Sequence, residues 1–388
     1  MIYTEFQGLK LSQLGFGMMR LPTLADKSID EAQVARMADY AIAHGVNYFD
    51  TAWPYHGGES ERVAGRVLAK YPRESFYLAT KFPGHQLSET YDVKTIFETQ
   101  LQKCGVEYFD FYLLHNVYEH SIETYTSAKW GILDYLLEQK RLGRIRHLGF
   151  SSHAGLPALK GFLENYGQYM EFCQIQLNYL DWTLQSAKEK CELLASYNIP
   201  VWVMEPVRGG RLAKLPSSAE ESLRALRPDA SIPSWALRWL QSIPNVKVIL
   251  SGMSNEAQME DNVSTFEAPA PLTQAENELL LSIAEKLKNN IPCTGCRYCC
   301  DGCPMGIDIP AMISVLNDLR YAPVQNSIMA VEALPEDRKP SACIGCGACE
   351  AICPQRIAVP AAMQELAERI AKIPTWKQTC EERAKAQK

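Results

Sequence analysis

The sequence predicts an α/β chain: a closed barrel of eight parallel strands, followed by a small, mostly helical, cysteine-rich unit. Three observations predict it. Short apolar runs alternate eight times with amphipathic stretches across roughly 260 residues, the size of a (β/α)8 TIM barrel. No Gly-x-Gly-x-x-Gly turn follows an early strand, as an open doubly wound sheet would normally carry. Gly15-Phe-Gly17 lacks the third glycine, and Gly57-Gly58 does not continue the pattern. Beyond the Pro-rich break Ala268-Pro-Ala-Pro-Leu272, cysteines crowd together.

Residues 2–10 alternate weakly and read as a short hairpin that closes something. Residues 11–17 read as the first strand. Helix and strand then alternate: 31–44 with 46–50, 60–68 with 76–81, 93–104 with 109–115, and 129–140 with 145–151. The series continues with 156–166 and 172–178, 186–197 and 200–205, and 231–241 and 246–250; residues 255–263 open one more helix. The strand segments are short and nearly continuously apolar, as expected when both faces are buried. After the break, Thr273 and Glu276 form a capping-box pattern that opens a helix over 273–289. Residues 309–321 and 324–334 have helical spacing, and another helix runs from Pro360 to about 371. The chain thus divides into a barrel (1–267), a linker and connecting helix (268–289), a cysteine domain (290–373) and a charged tail (374–388) expected to fray.

Composition narrows the function. A chain of 388 residues, 47% hydrophobic, supports one large core and a smaller unit. A net charge of −6 disfavours nucleic acid or an anionic membrane as partner. No apolar run approaches the ~18 residues of a membrane span, and the first residues lack a signal pattern. Of 13 cysteines, eight lie in two runs and the rest are scattered. Scattered thiols beside oxygen-labile motifs predict a reducing, cytoplasmic setting.

The first run is Cys293-x-x-Cys296-x-x-Cys299-x-x-x-Cys303-Pro304; the second is Cys343-x-x-Cys346-x-x-Cys349-x-x-x-Cys353-Pro354. Each matches the bacterial ferredoxin run that binds a [4Fe–4S] cluster, whose fourth cysteine ligates the other cube in two-cluster proteins. One cluster is therefore expected on Cys293, Cys296, Cys299 and Cys353, and the other on Cys343, Cys346, Cys349 and Cys303. Zinc is a weaker reading, because four ligands fill it and the Cys-Pro ending would have no reason to occur twice. Cys300 reads as a neighbour pointing away from the cube. A unit this small holds little apolar core, so the clusters are expected to be needed for its folding.

In a barrel the chemistry sits at the C-terminal strand ends. Those positions hold Asp50, Lys81, His115, Ser151, Ser152, Gln174, Asn178, Glu205 and Ser251. Such a polar ring would be costly as plain buried core.

Several stretches carry a family resemblance: Asp50-Thr-Ala-Trp-Pro-Tyr55-His-Gly-Gly-Glu-Ser-Glu, Ala79-Thr-Lys81, Leu113-Leu-His115 and Gly149-Phe-Ser-Ser-His153. Gln174-Ile-Gln-Leu-Asn178 and Gly252-Met-Ser-Asn-Glu-Ala-Gln258-Met-Glu-Asp-Asn262 continue it in order. Over residues 8–265 the chain resembles the aldo-keto reductase family, and as a whole it resembles the subgroup with a C-terminal ferredoxin-type extension. The resemblance implies a catalytic set. Tyr55 would be the general acid, Lys81 would lower its pKa, Asp50 would hold the lysine, and His115 would orient the substrate oxygen. It also implies a nicotinamide site, for NADP(H) or NAD(H), at Ser151, Ser152, Gln174, Met204, Gly252, Ser254, Gln258 and Asn262. Gln174 and Ser152 would hold the carboxamide, amides near Ser254 the phosphate, and Gln258 with Asn262 the adenosine half. Two departures stand out. Met204 occupies a position that is aromatic in many members. The last loop lacks the Lys and Arg many members use for the 2′-phosphate, so that charge would come from Arg208 or Arg211.

The implied function is reduction of a small-molecule carbonyl, or oxidation of an alcohol, with NAD(P)H and with clusters for one-electron transfer. Hydride carries two electrons and a cluster passes one, so a joining carrier such as a flavin is normally needed. No Rossmann-type flavin site is present. Three readings stay open: clusters that brace the fold, a flavin at the barrel mouth, or a substrate radical. The alternatives are a flavin- or cluster-coupled reductase of another substrate class, a non-catalytic redox sensor that binds nicotinamide, or an electron carrier with a docking barrel. A redox partner protein is compatible with each.

Overall fold

The structure is a computed structural model, and it describes all residues except 87–89, 289–290, 292, 294–296, 322–324, 354–355 and 387–388. Strands β1 (Tyr3–Phe6) and β2 (Leu9–Ser12) form an antiparallel hairpin. Eight parallel strands then close a barrel in chain order. They are β3 (Leu14–Gly17), β4 (Tyr48–Asp50), β5 (Tyr77–Phe82) and β6 (Phe109–Val117). β7 (Ile145–Ser152), β8 (Cys173–Gln176), β9 (Val201–Met204) and β10 (Val246–Ser251) complete it, with Ile249 of β10 opposite Leu14 of β3. Gly15 is required at this closure: a Cβ there would meet the Leu250 side chain at 2.7 Å.

Two apolar layers hold the barrel. Inside it, Tyr48, Phe111, Phe172 and Trp202 fill the floor. The predicted hairpin closes that end, with the Phe6 ring 5.1 Å from Trp202. Outside, helices Glu31–Ala43, Ser60–Leu68, Val93–Cys104, Ile132–Arg141, Leu156–Tyr166, Ala187–Ser196, Ile232–Gln241 and Glu256–Glu267 bury their apolar faces against the strands. Asp30, Asp92 and Asn255 accept N-terminal N–H groups of three of them. The helix predicted over 129–140 starts only at Ile132, after Gly131 in a left-handed conformation (φ 57°). Helices Ile122–Thr126, Asp181–Leu184 and Ser217–Leu226 were not predicted.

The capping box of the connecting helix Gln274–Leu287 forms as expected. Its Glu276 also receives Arg227 Nε at 2.5 Å, which ties the helix to the barrel. The predicted 324–334 helix is a 3₁₀ turn, Gln325–Ile328, running into Met329–Glu332; residue 324 lies outside the described residues.

The cysteine unit is a structural repeat. A short helix, Tyr298–Asp301, precedes Ile309–Tyr321; Ala348–Ala351 likewise precedes Val359–Ile370. Ile307-Asp-Ile-Pro310 recurs as Ile357-Ala-Val-Pro360. The backbone repeats too: positive φ at Arg297 (65°) and Gly306 (60°) returns at Gly347 (75°) and Arg356 (52°). Ile313, Leu316, Met363 and Leu366 of the two long helices share one buried core.

The charged tail, expected to fray, carries the helix Trp376–Ala386. Trp376 anchors it: the indole N–H donates to the His85 carbonyl at 2.8 Å, and the backbone N–H donates to the Glu332 carboxylate. Met329, Trp376 and Cys380 are buried in the barrel's outer core. The C-terminal unit therefore packs against the barrel mouth. Among the described residues, no helix is long and apolar enough to cross a membrane.

Candidate active site and cluster sites

A cavity of about 800 Å³ opens at the C-terminal strand ends. Asp50 ends β4, and Lys81 lies near the end of β5. Lys81 Nζ donates to Asp50 Oδ1 at 2.5 Å and to the Thr51 carbonyl at 2.8 Å. Tyr55 stands on a 3₁₀ turn, Tyr55–Gly58, just beyond β4. The Lys81 ammonium lies 5.0 Å from its ring centroid, and the His115 ring meets it edge-on at 5.9 Å. The four predicted catalytic residues thus converge on one cavity wall.

Their electrostatics follow from burial. Burial pushes the Tyr55 phenol up; Lys81 pulls it back down, and Asp50 opposes that pull. Burial alone would lower Lys81, but Asp50 and then Tyr55 outweigh it and hold the ammonium above its ordinary value. Burial, reinforced by His85 and Lys81, pushes His115 well below the usual histidine range. The His115 imidazole is therefore neutral at physiological pH and keeps one N–H to donate.

Sequence reasoning missed part of this wall. His85, His153, Gln325, Asn326, Trp376 and Arg383 line the same cavity. The His85 ring lies 4.1 Å from His115 and 5.4 Å from Trp376. Burial holds His85 down at about 3 and His153 at about 4, so both are neutral. His153 was within reach of the sequence, since it ends the Gly149–His153 stretch. Positive φ at His56 (51°), Asn116 (55°) and Glu205 (58°) also clusters on this cavity, and strained backbone of that kind collects at functional sites.

Of the eight residues predicted for nicotinamide, seven line the cavity: Ser151, Gln174, Met204, Gly252, Ser254, Gln258 and Asn262. Ser152 stands behind the wall. Its hydroxyl donates to the Val117 carbonyl at 2.8 Å and accepts the Ala154 N–H at 3.1 Å. Asn178 also braces a loop, donating to Asp181 at 2.6 Å. Gln174 Oε1 is buried with no partner among the described residues, a free acceptor on the cavity wall. At the far end Asn255 caps the helix Glu256–Glu267, and the Ser254 N–H donates to Gln258 Oε1 at 2.8 Å. The charge expected from Arg208 is not offered there: Arg208 is buried against Asp181 at 3.1 Å, and Arg211 lies off the cavity wall. Arg20 lines this end instead, 3.8 Å from Glu205.

The structure brings the cysteines of the second set together. Cys303 of the first run lines one small cavity with Cys343, Cys346 and Cys349 of the second, walled by Ile307, Val359 and Met363. Four thiols on an apolar cavity, one from the other run, fit a [4Fe–4S] cube with crossed wiring. For the first set, Cys293, Cys299 and Cys353 share the apolar core of the repeat, while Cys296 lies outside the described residues. Cys300 is half-buried beside them.

Comparison with known proteins agrees with this architecture. The model of the Aldo/keto reductase family matches residues 13–285, and that of a 4Fe-4S dicluster domain matches 292–358. A probable aldo-keto reductase 1 of Glycine max is 31% identical over 37% of this chain, which spans 42% of that protein. An NADH-specific methylglyoxal reductase of Escherichia coli is 25% identical over 63% of this chain and 85% of its own length. The solved aldo-keto reductase AKR11C1 of Bacillus halodurans is 27% identical, covers 72% of this chain and 95% of its own, and superposes with a TM-score of 0.59. With a barrel, a strand-end site and a family match over most of its length, the chain belongs to the aldo/keto reductase family of oxidoreductases and carries a C-terminal 4Fe-4S dicluster domain.

Proposed function

We propose that this protein reduces a small-molecule carbonyl with NAD(P)H, or runs the reverse alcohol oxidation, and that its two [4Fe–4S] clusters serve one-electron transfer. One observation carries the reading: Lys81 is buried between Asp50 and Tyr55 on a cavity that His115 also lines. The free acceptor Gln174 Oε1 fits the N–H of a carboxamide, with Ser151 beside it on the wall. The helix N-terminus at Asn255 fits a phosphate once Gln258 swings off the Ser254 N–H. Bound nicotinamide supplies a hydride to the carbonyl carbon.

This chain's residues do the rest. Tyr55 gives its phenolic proton to the carbonyl oxygen as the carbon is reduced. Lys81 stabilises the phenolate left behind, and Asp50 keeps the ammonium charged and in place. The neutral His115 donates a hydrogen bond that orients the same oxygen. In the C-terminal domain, Cys303, Cys343, Cys346 and Cys349 hold one cluster; Cys293, Cys296, Cys299 and Cys353 hold the other. The E. coli relative's name points to a small aldehyde as the starting substrate class.

The test is turnover. Protein purified without oxygen is mixed with NADPH or NADH and a panel of aldehydes and ketones, and nicotinamide oxidation is followed. Carbonyl-dependent oxidation that falls ~10²–10⁴-fold in Tyr55→Phe is the expected result. Near-normal turnover by Tyr55→Phe would overturn the assignment.

A further inference from the structure

The barrel mouth is walled in part by the C-terminal unit, and one residue of that wall carries a charge that no carboxylate among the described residues pairs with. Arg383, on the helix Trp376–Ala386, lines the cavity that holds Tyr55 and His115. Its guanidinium lies over the Trp376 ring, 5.2 Å from the centroid. Among the described residues no carboxylate stands within ion-pair distance of it. The carboxylates on the same cavity are already engaged. Asp50 holds Lys81, Glu205 faces Arg20 at 3.8 Å, and Asp261 accepts from Ser231 at 2.7 Å. The imidazoles of His85, His115 and His153 are neutral, so none competes with Arg383 for an anion.

The placement is built. Trp376, beneath the guanidinium, is locked to the His85 carbonyl, and His85 packs on His115. Gln325 Nε2 donates to the Pro374 carbonyl at 2.9 Å and holds the start of the tail helix. Asn326 meets His153 at 3.3 Å on the same wall and offers neutral hydrogen-bonding groups there. Buried His85 Nδ1 and His115 Nδ1 have no partner among the described residues. A cationic fork on a wall that also carries the neutral amide of Asn326 is complementary to a planar anion, and carboxylate matches guanidinium best.

We propose that the substrate carries a carboxylate in addition to its carbonyl, and that Arg383 is the specificity-determining residue that binds it. This rests on the carbonyl-reductase reading above and deepens it. It also gives the C-terminal tail helix a place in the substrate site.

The experiment compares two aldehydes of the same shape, 4-carboxybenzaldehyde and 4-carbamoylbenzaldehyde, in the full-length, cluster-loaded protein and in Arg383→Met and Arg383→Lys. Wild type is expected to favour the carboxylate in kcat/KM by ~10–100-fold, the worth of one charge-assisted contact. The preference collapses in Arg383→Met, through KM, and is partly restored in Arg383→Lys. Equal use of the two aldehydes by wild type, or a preference that survives Arg383→Met, would overturn the inference and leave the reductase reading standing. If neither aldehyde nor any other carbonyl is reduced, the reductase reading fails. Calorimetric binding of benzoate against benzamide then decides the inference alone: tighter benzoate binding lost in Arg383→Met supports it, and equal binding overturns it.

Discussion

A lysine with 1% of its side chain exposed needs a counter-charge in contact, and Asp50 at 2.5 Å provides it. In the proposed mechanism the pair serves chemistry because Tyr55 stands beside it. Lys81→Met would leave the phenol's pKa raised by burial and by Asp50, with only the weaker pull of Arg383 against them. Turnover is expected to fall ~10²–10⁴-fold, matching Tyr55→Phe. The two variants differ in stability. Tyr55→Phe keeps the ring's packing, whereas Lys81→Met strands a buried carboxylate and is expected to cost ~3–5 kcal/mol. Denaturant unfolding checks the difference; equal midpoints would mean that Asp50 takes up a proton without strain. Asp50, Lys81 and His115 were legible in the sequence as polar residues in or closing apolar strand runs, whereas Tyr55 and the four roles came from the family resemblance. Arg383 and Trp376 were not legible, since the Trp376 contact with His85 spans 291 residues and no local pattern records it.

Elements report the same logic through their ends and their wiring. The capping-box glutamate Glu276 is held by Arg227, and by its own helix, at about 2 instead of the ordinary 4.5. A carboxyl with a lowered folded-state pKa stabilises the fold fully above the ordinary value and loses that contribution as pH falls toward the folded one. Wild type is therefore expected to lose stability between about pH 4.5 and pH 2 with a component that Glu276→Gln lacks. Melting temperatures across that range test it, and parallel curves would assign the acid sensitivity elsewhere. In the cysteine repeat, the proposed crossed wiring predicts that Cys353→Ala exposes the distant first run to proteolysis. Unchanged protection around Cys293 and Cys299 would mean that each run builds its own cluster. The strands were readable because burial on both faces leaves a short apolar signature. The tail helix was not: it is mostly polar, and the burial of Trp376 and Cys380 depends on a barrel surface far away in sequence.

At the scale of the whole molecule, two units share one mouth. Two four-cysteine sets are expected to give about eight irons per chain after anaerobic reconstitution; a plateau at half that value would remove one set. If the clusters conduct, adding NAD(P)H turns on their paramagnetic resonance, and a silent spectrum during active carbonyl reduction would leave them a bracing role. The central claim is that hydride passes directly to the carbonyl carbon while Tyr55 supplies the proton. It is tested most directly with nicotinamide deuterated at the transferring position, full-length cluster-loaded protein and an aldehyde that wild type reduces. Deuterium on the carbinol carbon of the product, with turnover lost in Tyr55→Phe, is the predicted result. A product whose carbinol carbon carries solvent hydrogen would contradict it, because the electrons would then have travelled through a flavin or the clusters.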